Sequence, residues 1–247
     1  VVHVVFPEYA ALDMPVVSMT TTREKAEAAL TVLGSFVELG MTQTQEFYTF
    51  KNSPSVEQMV EIGVPIGTIL KLADEKHIDL IMLGTKGEHN TLERAFGSVS
   101  TGVLEHALCP VMVIPEFAHW KPTHIVAYAS DLSESDPYHF WKAADILTPF
   151  HPLVHVVNIH KGEAHDEVAI DELKKIFSNN TPAVQISFHQ EKHDSITAGI
   201  ETFIDNYAVD LLMMYSPHRS WIERLFHHSQ TRDLAFTTRI PMLVIKR

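Results

Sequence analysis

Four short strings occur twice in the chain, in the same order. VHVV at Val2–Val5 returns at Val154–Val157, and DLIMLG (Asp79–Gly84) returns as DLLMMY (Asp210–Tyr215). LERAF (Leu92–Phe96) returns as IERLF (Ile222–Phe226), and CPVMVIPE (Cys109–Glu116) as IPMLVIKR (Ile240–Arg247). Such order is the mark of a tandem duplication, with a short joint near Phe117–Lys121. At 247 residues the chain can hold two modest cores. The fold must therefore be one that a half-length unit can build and a second copy can repeat.

The second half shows the unit whole. THIVAYAS (Thr123–Ser130) is a β-rich run, followed by helical spacing over about Tyr138–Leu147 and the strand LVHVVNI (Leu153–Ile159). A charged amphipathic helix is expected near Val168–Phe177, then a strand at Ala183–Gln190 and a helix over Ile196–Tyr207. DLLMMY, a helix from about Trp221 to Thr238 and the strand MLVI (Met242–Ile245) complete it. Short β-branched runs alternating with longer helices argue for a parallel sheet with helices on both faces. The first half opens at the equivalent of the second strand, so its first strand and helix are expected to be missing from this sequence. Ala10–Thr22 and the polar Gly40–Asn52 have no counterpart in the second half and read as loop insertions.

The stretch GTKGEHNTLERAFGS (Gly84–Ser98) follows an apolar strand and precedes a helical pattern carried by Leu92, Phe96, Val99, Val103, Leu104 and Leu108. In open α/β sheets, ligands sit outside the carboxyl ends of the strands. Gly84 and Gly87 permit unusual backbone angles and close approach by another group. Gly97 and Ser98 fall near a helix start, where free N–H groups attract phosphate. The spacing is neither that of the P-loop nor that of the common dinucleotide fingerprint.

Gly84-x2-Gly87-x9-Gly97-Ser98, between DLIMLG and CPVMVIP, closely resembles the universal stress protein family. VHVV resembles its second strand, GVPIGTILKLADEKHIDLIMLG its following helix and strand, and Asp131 in AYASDLSE its first loop. The resemblance implies two Rossmann-like (adenine-nucleotide α-hydrolase-like) units of α/β class, 1–116 and 121–247. Each would be a five-stranded parallel sheet flanked by helices, the first without its first strand and helix. It also implies a binding site for ATP or AMP, with Mg as an optional companion, in the first unit. Val4 would meet adenine through its backbone, and Leu83, Gly84, Gly87, Gly97, Ser98, Val99 and Ser100 would line ribose and phosphates. It implies a stress-response regulatory or partner-binding role with protein partners unspecified, and at most slow ATP hydrolysis. The alternative is a nucleotide-free scaffold with both pockets inactive.

In the second unit Gly84 is replaced by Tyr215, Gly87 by about His218, and Gly97-Ser98 by His227-His228. The phosphate cradle is therefore expected to be lost there, although Asp131 and Val156 remain. Lys86 reads as a solvated turn residue, and Glu93-Arg94, repeated as Glu223-Arg224, as a helix-surface pair. The 16 histidines raise a metal site, with His218, His227 and His228 the candidates, but no converging set of three or four ligands is evident. The single Cys109 reads as a buried structural thiol.

A formal charge of −12 argues against nucleic acid and anionic membrane as partners, and no apolar run approaches a membrane span. One cysteine fits a reducing, cytoplasmic setting. The matched closing strands PVMVI and PMLVI are expected to pair within the chain as an intramolecular pseudo-dimer. A homodimer of the whole chain is left open.

Overall fold

The computed structural model describes residues 1–7, 9–10, 16–17, 19–47, 49, 52–85, 97–116, 118–119, 121–132, 136–162, 166–179, 184–215 and 239–246. The chain divides into two compact units, Val1–Lys76 and His77–Arg247.

In the first, β1 (Val2–Val5) pairs in parallel with β4 (Met59–Ile62). A small antiparallel pair, β2 (Tyr9–Ala10) and β3 (Val16–Val17), precedes the helix α1 (Met19–Phe47). α2 (Pro65–Glu75) follows β4 and begins with Pro65, whose fixed φ and missing N–H suit the first helical position.

α1 corrects the expectation of a loop over Gly40–Phe47, and the end of Ala10–Thr22 likewise enters the helix. Threonine and serine favour loops because their hydroxyls compete for backbone groups. Here they bond back along the helix instead. Thr31, Ser35, Thr42 and Thr44 donate to the carbonyls of Glu27, Thr31, Glu38 and Gly40 at 3.2, 3.3, 2.9 and 2.7 Å.

The second compact unit is built on a seven-stranded sheet ordered β5-β6-β11-β10-β7-β8-β9. Its strands are β5 (Ile81–Gly84), β6 (Val111–Ile114), β7 (Ile125–Ala129), β8 (Leu153–His160), β9 (Gln185–Lys192), β10 (Leu211–Tyr215) and β11 (Met242–Ile245). Its helices are α3 (Ser98–His106), α4 (Asp136–Leu147), α5 (Asp166–Asn179) and α6 (Ile196–Tyr207). The five strands β9-β8-β7-β10-β11 are all parallel, as expected for the repeated unit. β5 and β6 are parallel too, and β6 meets β11 antiparallel with Val113 opposite Met242 and Val111 opposite Val244. The two matched closing strands thus pair inside one chain and cover each other's edge.

β7 stands between β10 and β8. Among the described residues of the first half no strand takes the equivalent place: β1 pairs with β4 and β5 with β6, in separate sheets. The five-stranded expectation is met in the second half, whereas the described first-half strands form the parallel pairs β1-β4 and β5-β6 and the small antiparallel pair β2-β3.

The core follows from the strand pattern. β8 is apolar along most of its length, as a strand buried on both faces must be. One face joins Val126, Tyr128, Val154, Val156 and Met213 to Phe140 and Leu147 of α4 and to Leu173 and Phe177 of α5. Edge-to-face contacts of Phe140 with Tyr128 and Phe177, at 5.2 and 4.8 Å between centroids, add directional packing. Among the described residues no helix is long and apolar enough to cross a membrane.

Candidate functional site

β5 ends at Gly84, and the chain returns to the same place at Gly97, the N-cap of α3. Three hydrogen bonds fix the junction. The Thr85 N–H donates to the Ile114 carbonyl of β6 at 3.0 Å, and the Gly97 N–H donates to the Thr85 carbonyl at 2.6 Å. The Ser100 hydroxyl, on a buried side chain, donates to the Gly84 carbonyl at 2.6 Å. α3 is thereby tied to the carboxyl end of β5 through its first turn.

The first helical bond of α3 runs from the Thr101 N–H to the Gly97 carbonyl at 3.0 Å. The N–H groups of Ser98, Val99 and Ser100 precede that bond and belong to the turn whose donors have no partner within a helix. They lie at the carboxyl end of a parallel strand, where an anion gains from both the donors and the helix dipole. Ser98 is exposed and Ser100 buried.

Leu83, Gly84, Gly97, Ser98, Val99 and Ser100 therefore come together at one junction. Gly87, Lys86 and the Glu93-Arg94 pair lie outside the described residues. The helical pattern read from Leu92 onward is described only from Ser98. Val4 lies on β1 in the other compact unit.

Unusual backbone angles are not what Gly84 and Gly97 supply. Gly84 ends a regular strand, and Gly97 has φ −68° and ψ 158°, which any residue can adopt. Among the described glycines, positive φ belongs to Gly162. The expectation of an unusual backbone angle is not met at Gly84, and Gly87, which shared it, lies outside the described residues.

The second half fills the equivalent position. Tyr215, in the place of Gly84, stacks its ring on His139 of α4 with centroids 3.3 Å apart and planes 12° from parallel. The counterparts of Gly87, Gly97 and Ser98 (His218, His227, His228) lie outside the described residues, as does the helix expected at Trp221–Thr238.

At the carboxyl end of β7 a different polar cluster forms. The buried Asp136 carboxylate accepts from the Tyr128 hydroxyl at 2.8 Å, the Leu132 N–H at 3.1 Å and the Ser130 hydroxyl. Burial raises its pKa to about 6, against the opposing hydrogen bonds of Ser130, Tyr128 and Leu132. Asn158 of β8 donates to the Ser130 carbonyl at 3.1 Å and braces the same loop. Sequence reasoning singled out Asp131 here and passed over Asp136. The available signal was an aspartate opening a helical pattern a few residues beyond a strand.

A second cluster lies between β8, β9 and α6. His155 Nδ1 is 2.6 Å from Ser187 Oγ and 2.9 Å from His189 Nε2, and the Tyr207 hydroxyl is 3.3 Å from His189 Nδ1. Burial lowers the pKa of both histidines, and for His155 the neighbouring His189 lowers it further. Among the described residues no group of three or more His, Cys, Asp or Glu side chains is arranged to hold a metal ion. Cys109 is partly buried, and burial pushes its thiol pKa up, which suits packing better than nucleophilic attack.

The sequence signature of the universal stress protein family matches residues 1–115, which include β1, the glycine junction and α3. Over these residues, just under half of its length, the chain is similar to the universal stress protein family. It is similar to a Staphylococcus haemolyticus protein named for that family, 43% identical over 82 residues, or 32% of this chain and 49% of that protein. It is also similar to a universal stress protein of Methanocaldococcus jannaschii, 32% identical over 59 residues, 24% of this chain and 36% of that one. The chain thus spans about half or less of the length of these curated relatives. A solved universal stress protein of Archaeoglobus fulgidus superposes over 99% of this chain and 84% of its own, with TM-score 0.68 and 17% identity. That likeness is one of fold, an α/β arrangement of parallel sheets flanked by helices.

Proposed function

We propose that the chain binds an adenine nucleotide, ATP or AMP, at the junction of β5 and α3, and that it acts as a stress-response regulatory or partner-binding protein. The observation that carries this is the first turn of α3. The N–H groups of Ser98, Val99 and Ser100 lie at a strand's carboxyl end, with glycine at both Gly84 and Gly97. These groups suit phosphate oxygens, and Ser98 adds an exposed hydroxyl. Gly87 and Leu83 complete the family's cradle, and the Val4 backbone is assigned to adenine by resemblance alone. Mg would accompany the phosphates without a protein ligand set of its own. The nucleotide would supply charge and shape for the protein to hold. Among these residues no nucleophile and base are paired, so binding rather than turnover is the activity assigned.

The repeat implies two copies of one unit, 1–116 and 121–247, with nucleotide held by the first. In the second, the Tyr215–His139 stack takes the place where a phosphate cradle would open. A cytoplasmic setting fits this role. Nucleotide binding would favour one conformation and so alter which protein partner is held.

Isothermal titration of the protein with ATP and with AMP tests the proposal. Binding is expected, and Gly97→Trp should weaken it at least about tenfold by filling the cradle. Gly97→Trp must keep the far-ultraviolet circular dichroism of the parent for that comparison to count. Absence of binding, or binding that survives Gly97→Trp in a folded protein, overturns the site.

One observation favours a second reading, a nucleotide-free scaffold. The Gly97 N–H and the Ser100 hydroxyl are both committed to the junction itself. Native mass spectrometry of the purified protein separates the two, because co-purifying nucleotide counts against the scaffold.

A further inference from the structure

α1 carries two apolar faces. One packs inward through Thr22, Ala26, Ala29, Leu33, Val37 and Gly40, of which Leu33 is 9% exposed. The other points outward. Val32, Phe36 and Leu39 are 69%, 64% and 58% exposed, and their spacing of four and three residues places them on one stripe. The stripe runs back through exposed Ala28 to Lys25 and on through exposed Gln43 to Glu46. Glu24, Glu27, Thr31, Glu38 and Thr42 lie on the arc beyond it. At ~1.5 Å per residue the helix is about 44 Å long, enough for a lengthy helix–helix contact.

The order of residues along the stripe is self-complementary when the helix is turned end for end. About an axis between Ser35 and Phe36, Val32 faces Leu39, Ala28 faces Gln43, and basic Lys25 faces acidic Glu46. No position on the stripe meets a like charge in this register. The β6 and β11 edges are already joined within the chain, so a second copy must use another surface.

We propose that the protein pairs with a second copy of itself through this outer face of α1. The helices run antiparallel about a two-fold axis at Ser35–Phe36, with reciprocal Lys25–Glu46 ion pairs closing the two ends. Three large apolar side chains per copy form the dry centre, and the ion pairs fix direction and register. The contact uses unit 1 alone and is independent of nucleotide binding at α3.

Sedimentation velocity of the full chain over a wide concentration range tests the proposal. A monomer–dimer equilibrium is expected. Phe36→Glu should raise the dimer dissociation constant about tenfold or more, and because Phe36 is exposed the fold should persist by circular dichroism. Lys25→Glu and Glu46→Lys should each weaken the dimer, since each sets like charges opposite one another. The double variant should recover much of the loss, and only this antiparallel register predicts that recovery. A protein that is monomeric at every concentration overturns the proposal and leaves the stripe to a different chain. A dimer indifferent to Phe36→Glu, or a double variant no stronger than the singles, overturns it as well.

Discussion

The tetrapeptide VHVV stands twice in this chain in two unlike environments. In β8, Val154, Val156 and Val157 are at most 1% exposed and His155 is 6% exposed. In β1, Val2 is 40% exposed, His3 is exposed, and Val5 alone of the four is buried. The side chains are identical, so the difference comes from neighbours. β8 lies between β7 and β9 with helices packed over it, whereas among the described residues β1 pairs with β4 alone. Burial belongs to a position in a sheet rather than to a string of letters. The largest expected effect follows directly. Val154→Asp puts an unpaired carboxylate into a dry core and should cost about 4 kcal/mol or more, enough to unfold much of the second unit. Val2→Asp should cost about 1 kcal/mol or less, since water still reaches the site. Urea-unfolding midpoints of the two variants measure the contrast, and equal losses would mean that β1 is as enclosed as β8.

The aspartates that open DLIMLG and DLLMMY divide in the same way. Asp210 accepts from the His124 and Ile125 N–H groups at 2.9 Å each and pairs with Lys121 at 2.7 Å. Burial pushes its pKa up, but the bonds from Lys121, Ile125 and His124 together outweigh that and hold it below the usual range. It thereby fastens the start of β10 to the start of β7. Asp79, its counterpart ahead of β5, is exposed. Asp210→Ala should cost about 1–3 kcal/mol by leaving N–H donors without an acceptor. Asp79→Ala should stay within about 0.5 kcal/mol. A thermal melt of each variant sharpens the comparison, and a large loss at Asp79 would reveal a partner for it outside the described strands.

Much of the fold was legible because strand signals are local. IVAYA, LVHVVNIH, LLMMY and MLVI are β-branched or apolar runs between turn residues, and each became a strand of the second sheet. The closing pair was legible from its repetition. α1 was misread because threonine and glycine signal loops, and the back-bonding of Thr42 and Thr44 appears only in three dimensions. In the candidate site, Gly97 and Ser98 were placed correctly at a helix start by spacing and repeat. Thr85 was missed, since its part lies in backbone bonds to Ile114 and Gly97 that leave no mark on side-chain type. The His155–Ser187–His189 cluster was missed because its members are 32 and 34 residues apart and meet through strand register alone.

The histidine of VHVV gives the finest contrast, and it depends on pH. Burial, then the neighbouring His189, lowers the pKa of His155 in the folded protein. The unfolded chain, with its histidine near about 6.5, takes up the proton first as the solution is acidified. Below that value the unfolded state binds more protons than the folded one, so stability falls as pH falls. His155→Gln removes this contribution, and the loss of stability between about pH 7.5 and about pH 5.5 should shrink. His189 keeps its own share of the loss, because burial lowers its pKa as well. The unsubstituted protein is the reference for that loss. The reading to compare is the change in urea midpoint between the two pH values, not the midpoint itself, because His155→Gln also disturbs the contacts with Ser187 and His189 at every pH. An equal change in His155→Gln and in the unsubstituted protein would place the acid sensitivity outside the cluster.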